Sequence, residues 1–296
     1  MGIEFYKEPK LERTMMVACW PGVGNIGRIA IDSLMSKIGA EALGEIEPWD
    51  FFYPRKLSVK SGVLQNLEFP DNKFYFKKLE RRDVIIFVGD EEPDNASAYA
   101  QGQKAYQIGN LVLDVAEKFG CRRIYTSCAA ISSTHHRDKS KVWAVASHAY
   151  LKKEAKSYVN TVLMSEVEGR GRYNRIPGLK GLLVGLAKKR GLEAMCLMGE
   201  IPDYLTQVPL PYPRASKAVL DILCSLLGCE NDDNALNEMI TRVDELIDGV
   251  VEQFPQEIKE RIEQRKSISQ AKPETITKED EEWIKGHLDD LFKKGE

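Results

Sequence analysis

Residues 15–35 read MMVACWPGVGNIGRIAIDSLM, a short apolar run that breaks into glycines and resumes with helical spacing. The run Met15–Trp20 is typical of a buried strand, and the spacing of apolar residues in Arg28–Met35 is typical of a helix. Between them, Pro21–Gly27 is rich in the residues that form tight turns. The stretch therefore predicts a strand, a turn and a helix.

The glycines of this turn make it the first candidate binding site. Glycine adopts backbone angles that other residues avoid, and it lets a ligand or a neighbouring chain approach the main chain. The amides that open the following helix can also face an anion. The candidate ligand-binding residues of the turn are Gly22, Gly24, Asn25 and Gly27. A purely structural turn is the alternative.

The glycine spacing in Gly22–Gly27 also matches the GxGxxG fingerprint of dinucleotide-binding folds. That fingerprint needs an acidic residue roughly 20 residues further on, at the tip of the next strand, to bind the ribose hydroxyls. Glu45 and Glu47 are the candidates, but Pro48 would end that strand almost at once. We therefore favour a structural turn over a nicotinamide or flavin site, and the cofactor stays unknown.

Two further apolar runs end in the same way as the first. Asp83–Val88 is followed by Gly89-Asp90, and Leu192–Met198 is followed by Gly199-Glu200. In a parallel or mostly parallel sheet the carboxyl ends of the strands lie at one edge, and ligands bind in the crevice outside it. We therefore expect these ends to lie beside the Asn25 turn.

Asp90, Gly199 and Glu200 join the candidate ligand-binding residues for this reason. Two carboxylates at one sheet edge have the chemistry to serve as acid and base, or to bind a metal or a ribose. The simpler interpretation is that Glu200 caps a turn or accepts hydrogen bonds from the amides of the Asn25 loop.

Several landmarks in the same order resemble the PAC2 family, which is named for a proteasome assembly chaperone. The landmarks are Trp20-Pro21, Gly24–Gly27, Gly89–Pro93, Gly178–Gly185 leading into Leu197–Leu205, and Tyr212–Ala218. The resemblance runs from about Met15 to about Gly228.

This resemblance implies an α/β fold: a three-layer α/β/α domain with a mostly parallel central sheet, similar to nucleoside phosphorylases. It also implies a homo-oligomer, for which we favour a trimer or larger, and a chaperone-like protein with a possible protein partner. Members of the family are often labelled as ATP-grasp enzymes. The lysine and carboxylate set of an ATP-grasp site cannot be assembled from this sequence.

Composition narrows the class of protein. The chain has 296 residues, 43% of them hydrophobic, with a formal net charge of −3, which argues against a nucleic-acid binder. Its apolar runs are too short to span a membrane. Four of the six cysteines lie in apolar runs, which indicates reduced, buried thiols in a cytoplasmic protein: Cys19, Cys128, Cys196 and Cys224. Cysteine spacing does not indicate a metal site.

The pattern predicts an α/β domain over residues 1–228 and a helical extension over 229–296, with a linker near 267–274. The extension should end in a helix that presents Trp283 and docks on its own body or on another subunit. Within the first domain, residues 64–69 and 73–77 should form a hairpin, which adds antiparallel strands to one edge of the sheet. The polar residues 166–173 are predicted to be a plain surface connection, with a mobile loop over the site as the alternative.

The segment 132–139 contains the most reactive-looking residues, including His135-His136. A solvated loop is the first interpretation, because adjacent loop residues usually point in different directions. The family resemblance implies the alternative, that Thr134, His135 and Arg137 line the crevice, and we expect Arg137 in that case to bind an anion. Tyr204 is a candidate for stacking on a base, although core packing is its default role.

Two functions stay open. The first is a binding and assembly protein whose crevice and C-terminal helices engage partner subunits. The second is a nucleotide- or nucleoside-binding enzyme that uses the Gly22–Gly27 loop, so whether the protein is an enzyme is undecided. Assembly factors that dock on the proteasome ring commonly end in a hydrophobic residue, a tyrosine and one more residue. This sequence ends in Phe292–Glu296 without that pattern, so we do not expect its tail to dock on the ring.

Overall fold

A computed structural model describes residues 2–93, 98–167, 175–230, 232–267 and 278–287. All of the linker predicted near 267–274 except its first residue lies outside the described residues. The same holds for most of the connection at 166–173 and for the residues after 287.

The described residues form eleven strands and eight α-helices. The strands are β1 (Ile3–Phe5), β2 (Met15–Cys19), β3 (Glu41–Ile46), β4 (Lys56–Lys60), β5 (Val63–Glu68), β6 (Asn72–Lys77), β7 (Val84–Gly89), β8 (Arg123–Ser132), β9 (Val142–Ala146), β10 (Thr161–Leu163) and β11 (Glu193–Pro202). The helices are α1 (Ile26–Ile38), α2 (Ala98–Lys118), α3 (Leu151–Ser157), α4 (Gly178–Lys189), α5 (Pro213–Leu227), α6 (Asn234–Val251), α7 (Gln256–Ser267) and α8 (Lys278–Gly286).

Nine strands form one mixed sheet in the order β1-β3-β6-β7-β2-β8-β11-β9-β10. The central strands β7, β2, β8 and β11 run parallel to one another. On one flank, β6, β3 and β1 pair antiparallel, as the expected antiparallel addition to one edge requires. On the other flank β9 runs antiparallel to β11. The edge strand β10 pairs parallel with β9. The predicted α/β class is confirmed, with parallel pairing at the centre of a mixed sheet.

Helices cover both faces of this sheet. Alternate residues of β2 point to opposite faces, so that Met15 packs in the core beside α1 and α5, and Met16 packs in the core beside α2 and α4. A strand covered on both faces must be apolar at every position, and all five residues of β2 are buried. The likeness to nucleoside phosphorylases stays a prediction.

The hairpin predicted from residues 64–69 and 73–77 is wrong. β5 pairs with β4 in a separate two-stranded sheet, whereas β6 lies in the main sheet between β3 and β7. The β4–β5 turn is Ser61-Gly62, and both residues have positive φ angles, 52° and 78°. Such a turn matches the twist of paired strands, whereas Pro70 lacks the N–H that a tight connection from β5 to β6 would use.

The C-terminal helices pack on the body of the same chain. Leu236 of α6, Ile262 of α7 and Ile284 of α8 are buried in the apolar cluster that also contains Met15. The ring of Trp283 meets the ring of Phe254 edge-on, with centroids 6.2 Å apart. α5 ends before Gly228, whose φ is 75°, so the predicted boundary at 228 coincides with a helix end. In the described part of the chain, none of the helices has the length and apolar character to cross a bilayer.

Candidate functional site

The glycine turn follows β2 at the carboxyl edge of the central strands. Gly24 and Asn25 have positive φ angles of 63° and 47°. The Gly24 carbonyl accepts a hydrogen bond from the amide of Tyr212 at 2.8 Å. A Cβ at Gly24 would lie 3.0 Å from Ile201 Cδ1 and 3.0 Å from Tyr212 Cβ. The turn is therefore packed tightly against the end of β11 and the start of α5.

Gly27 and Gly199 allow close packing beside the turn. A Cβ on Gly27 would lie 2.9 Å from the carbonyl oxygen of Ser127, and one on Gly199 would lie 2.8 Å from Ile26 Cγ2. Both glycines let α1 approach the central strands. The Asn25 turn and the end of β11 are thus neighbours, as the strand-end argument requires, while ligand binding by these glycines stays a prediction.

Lys180, which sequence reasoning missed, fills the space beside Gly22. Its ammonium group donates a hydrogen bond to the Pro21 carbonyl at 2.7 Å and forms an ion pair with Glu92. The other Glu92 oxygen accepts the amide of Leu179 at 3.0 Å, in the first turn of α4. The available signal was a single lysine in the apolar helix G-L-K-G-L-L-V.

Asp90, at the end of β7, is engaged by two arginines. Its carboxylate lies 3.0 Å from Arg28 Nη1 and 3.1 Å from Arg55 Nη1, and it accepts the amide of Asp71 at 3.2 Å. Burial by itself would raise the pKa of Asp90, but hydrogen bonding and charge from Arg28 hold it below its usual value. Asp90 is therefore a carboxylate locked in ion pairs.

Glu200 is 8% exposed and serves as a hydrogen-bond acceptor inside the fold. Its carboxylate accepts the indole N–H of Trp143 and the amide of Lys141, each at 3.2 Å. The simpler interpretation, a hydrogen-bond acceptor, thus describes Glu200, but the donors are Trp143 of β9 and Lys141 just before β9, not amides of the Asn25 turn.

The solvated-loop interpretation of residues 132–139 is wrong for the two histidines at the centre of this segment. His135 and His136 are 1% and 2% exposed, and their rings stack with centroids 4.2 Å apart. The Nδ1 atom of His136 lies 2.8 Å from the hydroxyl of Tyr204, and Nε2 lies 2.7 Å from Asp248 Oδ1. The loop is buried because α6 covers it, and a short sequence window does not reveal that distant helix.

This hydrogen-bond network determines which ring nitrogen of neutral His136 carries the proton. A carboxylate only accepts hydrogen bonds, so Nε2 carries the proton that it donates to Asp248, and Nδ1 accepts the proton of the Tyr204 hydroxyl. Burial lowers the pKa of His136, and the hydrogen bond to Asp248 offsets only part of that effect. Tyr204 is 1% exposed and therefore has a packing and hydrogen-bonding role.

Acid should weaken the fold at this network. The imidazole of an unfolded chain titrates near 6.5, and its folded pKa is lower, so the unfolded chain binds the proton first as pH falls. The contribution of neutral His136 to the free energy of unfolding is therefore fully present above about pH 6.5. It is lost as pH falls through the folded pKa, by at most about 1.4 kcal/mol per pH unit. Urea unfolding between pH 8 and pH 5 should show a shallower pH dependence in His136→Gln. An unchanged dependence would contradict this assignment.

Arg137 faces α6. Its guanidinium pairs with Asp248 and lies 3.5 Å from Asp244, which also pairs with Arg214. Thr134 donates a hydrogen bond to Asp138 within its own loop, at 3.4 Å. The ion pairs of Arg137 and Arg214 attach α6 to the body of the protein. Anion binding by Arg137 stays a prediction.

Open grooves lie elsewhere on the molecule. Two of about 470 and 220 Å³ lie beside α3 and β10, and none of the candidate residues lines them. Within the described residues, no three histidine, cysteine or acidic side chains are placed to hold a metal ion. All six cysteines are free thiols.

Comparison with known proteins bears on the family to which this chain belongs. The model of the PAC2 family matches residues 16–251. An uncharacterised protein of Methanocaldococcus jannaschii is 28% identical over 264 residues, which is 89% of this chain and 90% of that protein.

Among solved structures, Pyrococcus furiosus PbaB, an archaeal proteasome activator, is 26% identical with a TM-score of 0.69, covering 84% of this chain and 98% of that chain. PbaA of the same organism, an archaeal homologue of proteasome-assembly chaperone, is 20% identical with a TM-score of 0.61, covering 90% and 99%. The likeness to PbaA shows the fold alone. Because the family model spans most of the sequence, including the glycine turn and the end of β11, this chain belongs to the PAC2 family.

Proposed function

We propose that this protein is a chaperone-like binding and assembly factor whose partners are proteasome subunits. PAC2 membership and the likeness to PbaB, a proteasome activator, support this function. Self-assembly into a homo-oligomer is part of the proposal. So is a cytoplasmic location, since six free cysteines suit a reducing compartment.

The observation that carries the proposal is that the charged side chains at the strand ends are already bonded to groups of the same chain. Asp90 and Glu200 are already bonded to arginines, an indole and a backbone amide of the same chain. Lys180, the cation nearest to Gly22, is held by Glu92. A phosphate or ribose would have to break these contacts, which favours a surface that binds proteins over a crevice that binds a nucleotide.

Binding to the proteasome core particle tests the proposal directly. The full chain, mixed with the core particle of the same organism, should co-sediment with it in analytical ultracentrifugation. The complex should also alter the rate at which the core particle hydrolyses a fluorogenic peptide. Absence of a complex would reject the proteasome as partner.

A thermal-shift measurement with ATP, NAD and nucleosides tests the competing enzyme function. A ligand present at 100 times its dissociation constant stabilises a fold by about 2.7 kcal/mol. We expect no shift with any of these compounds. A clear shift with one of them would favour the nucleotide-binding alternative.

A further inference from the structure

Exposed apolar side chains concentrate in one short part of the chain. Of the twelve large hydrophobic residues that are exposed among the described residues, six lie in the stretch 49–64: Trp49, Tyr53, Leu57, Val59, Val63 and Leu64. Four of the six belong to the β4–β5 hairpin, residues 56–68, which we call the arm. Such a patch on a soluble protein marks an interaction site.

The pairing register of the arm sorts its residues onto two faces. Val59 lies opposite Leu64, and Leu57 lies opposite Leu67, with a register shift between these two pairs. Directly opposed residues share a face, so these four side chains form one uncharged apolar face. The opposite face carries two pairs, Lys60 with Val63 and Lys56 with Glu68.

The base of the arm is attached to the body of the protein, whereas the apolar side chains along the arm are exposed to solvent. Arg55 donates its amide to the Glu68 carbonyl at 2.6 Å and pairs with Asp90 and Glu91 at the end of β7. Beyond this base, Leu57, Val59 and Leu64 are 56%, 67% and 60% exposed. A two-stranded hairpin is only marginally stable in water without a surface to pack on.

We propose that the apolar face of the arm, formed by Leu57, Val59, Leu64 and Leu67, docks on the same face of a second copy of this chain. This inference rests on the self-assembly that the proposed function includes. An uncharged face is self-complementary, because an isologous contact brings the same patch of both copies together, and this patch carries no charges that would repel each other. The lysines of the opposite face would repel each other in the alternative self-contact.

The adjoining residues supply the area that such a contact needs. An aromatic side chain carries about 150–250 Å², so the exposed parts of Trp49 and Tyr53, 67% and 84% of each, add roughly 300 Å² beside the arm. A standard interface takes about 800 Å² from each partner. The arm face and these two rings together approach that size.

The arm offers a matched pair of variants for the test. Leu64 and Val63 are adjacent, 60% and 63% exposed, and on opposite faces. Light scattering should give the wild-type chain at least twice its mass of 33.5 kDa, a lower mass for Leu64→Asp, and the wild-type mass for Val63→Asp. Val59→Lys repeats the test at a second position on the apolar face, and an unchanged circular dichroism spectrum shows that each variant is folded.

Mixing Leu64→Asp with Leu64→Lys chains should restore the wild-type mass, because the two paired faces then carry opposite charges and no longer repel each other. A monomeric wild-type chain, a Leu64→Asp chain with the wild-type mass, or equal dissociation by Val63→Asp would each overturn the inference.

Co-sedimentation with the core particle on the same samples separates the two proposals. A monomeric wild-type chain that binds the core particle refutes the arm contact and self-assembly but leaves the proposed binding of proteasome subunits standing. Loss of core binding by a Leu64→Asp chain that keeps the wild-type mass would mean that the arm docks on the proteasome.

Discussion

Replacing Arg265 with methionine should lower the free energy of unfolding by about 3–5 kcal/mol. Arg265, in α7, is 1% exposed and pairs with Asp203 through two hydrogen bonds of 2.6 and 3.2 Å. Methionine keeps the apolar stem but leaves the Asp203 carboxylate, itself 9% exposed, without its cation. Urea unfolding followed by circular dichroism measures the loss.

Two further variants show whether the buried charge causes this loss. The double variant Arg265→Met with Asp203→Asn leaves no uncompensated charge and should recover much of the stability. Lys7→Met removes an ion pair with Glu41 whose partners are 53% and 49% exposed, and should change stability by less than about 1 kcal/mol. If Arg265→Met were as mild as Lys7→Met, the pair would not hold α7 to the end of β11.

Replacing Lys180 with methionine should destabilise the glycine turn. The change removes the hydrogen bond to the Pro21 carbonyl and leaves Glu92 without its cation. Loss of one partner of a buried pair costs about 3–5 kcal/mol, and the 22% exposure of Glu92 reduces this to about 2–3 kcal/mol.

The urea midpoint of Lys180→Met, compared with that of Lys188→Met, checks this effect. Lys188 lies on the same helix and is exposed, so its replacement should leave the midpoint close to that of the wild-type chain. Equal midpoints for the two variants would show that Lys180 does not support the turn. If ATP stabilised a Glu92→Gln variant but not the wild-type chain, the ion pair with Glu92 would be keeping Lys180 from a phosphate.

The sequence located the strand ends because they depend on local patterns. Continuous apolar runs identified β2, β7 and β11, since strands covered on both faces carry no polar positions. Glycines after these runs marked the turns, and parallel pairing then placed the turns at one edge.

The sequence did not reveal the pairs that occupy this edge. Lys180 and Glu92 are 88 positions apart, and His136 and Asp248 are 112 positions apart. A buried histidine and a solvated one look alike within a short window. The strand that pairs with β5 was also predicted wrongly. Turns flank β5 on both sides, Ser61-Gly62 before it and the one at Pro70 after it, and the sequence did not show which of them closes a hairpin.

By itself the sequence determined the α/β class, the strand-end turns and the family resemblance, because each depends on neighbouring residues or on motifs that occur in a set order. Only the tertiary structure decided which charges neutralise one another, that His136 is buried, and that the arm projects an apolar face. These properties depend on contacts between residues far apart in the chain, and burial arises only when distant elements pack.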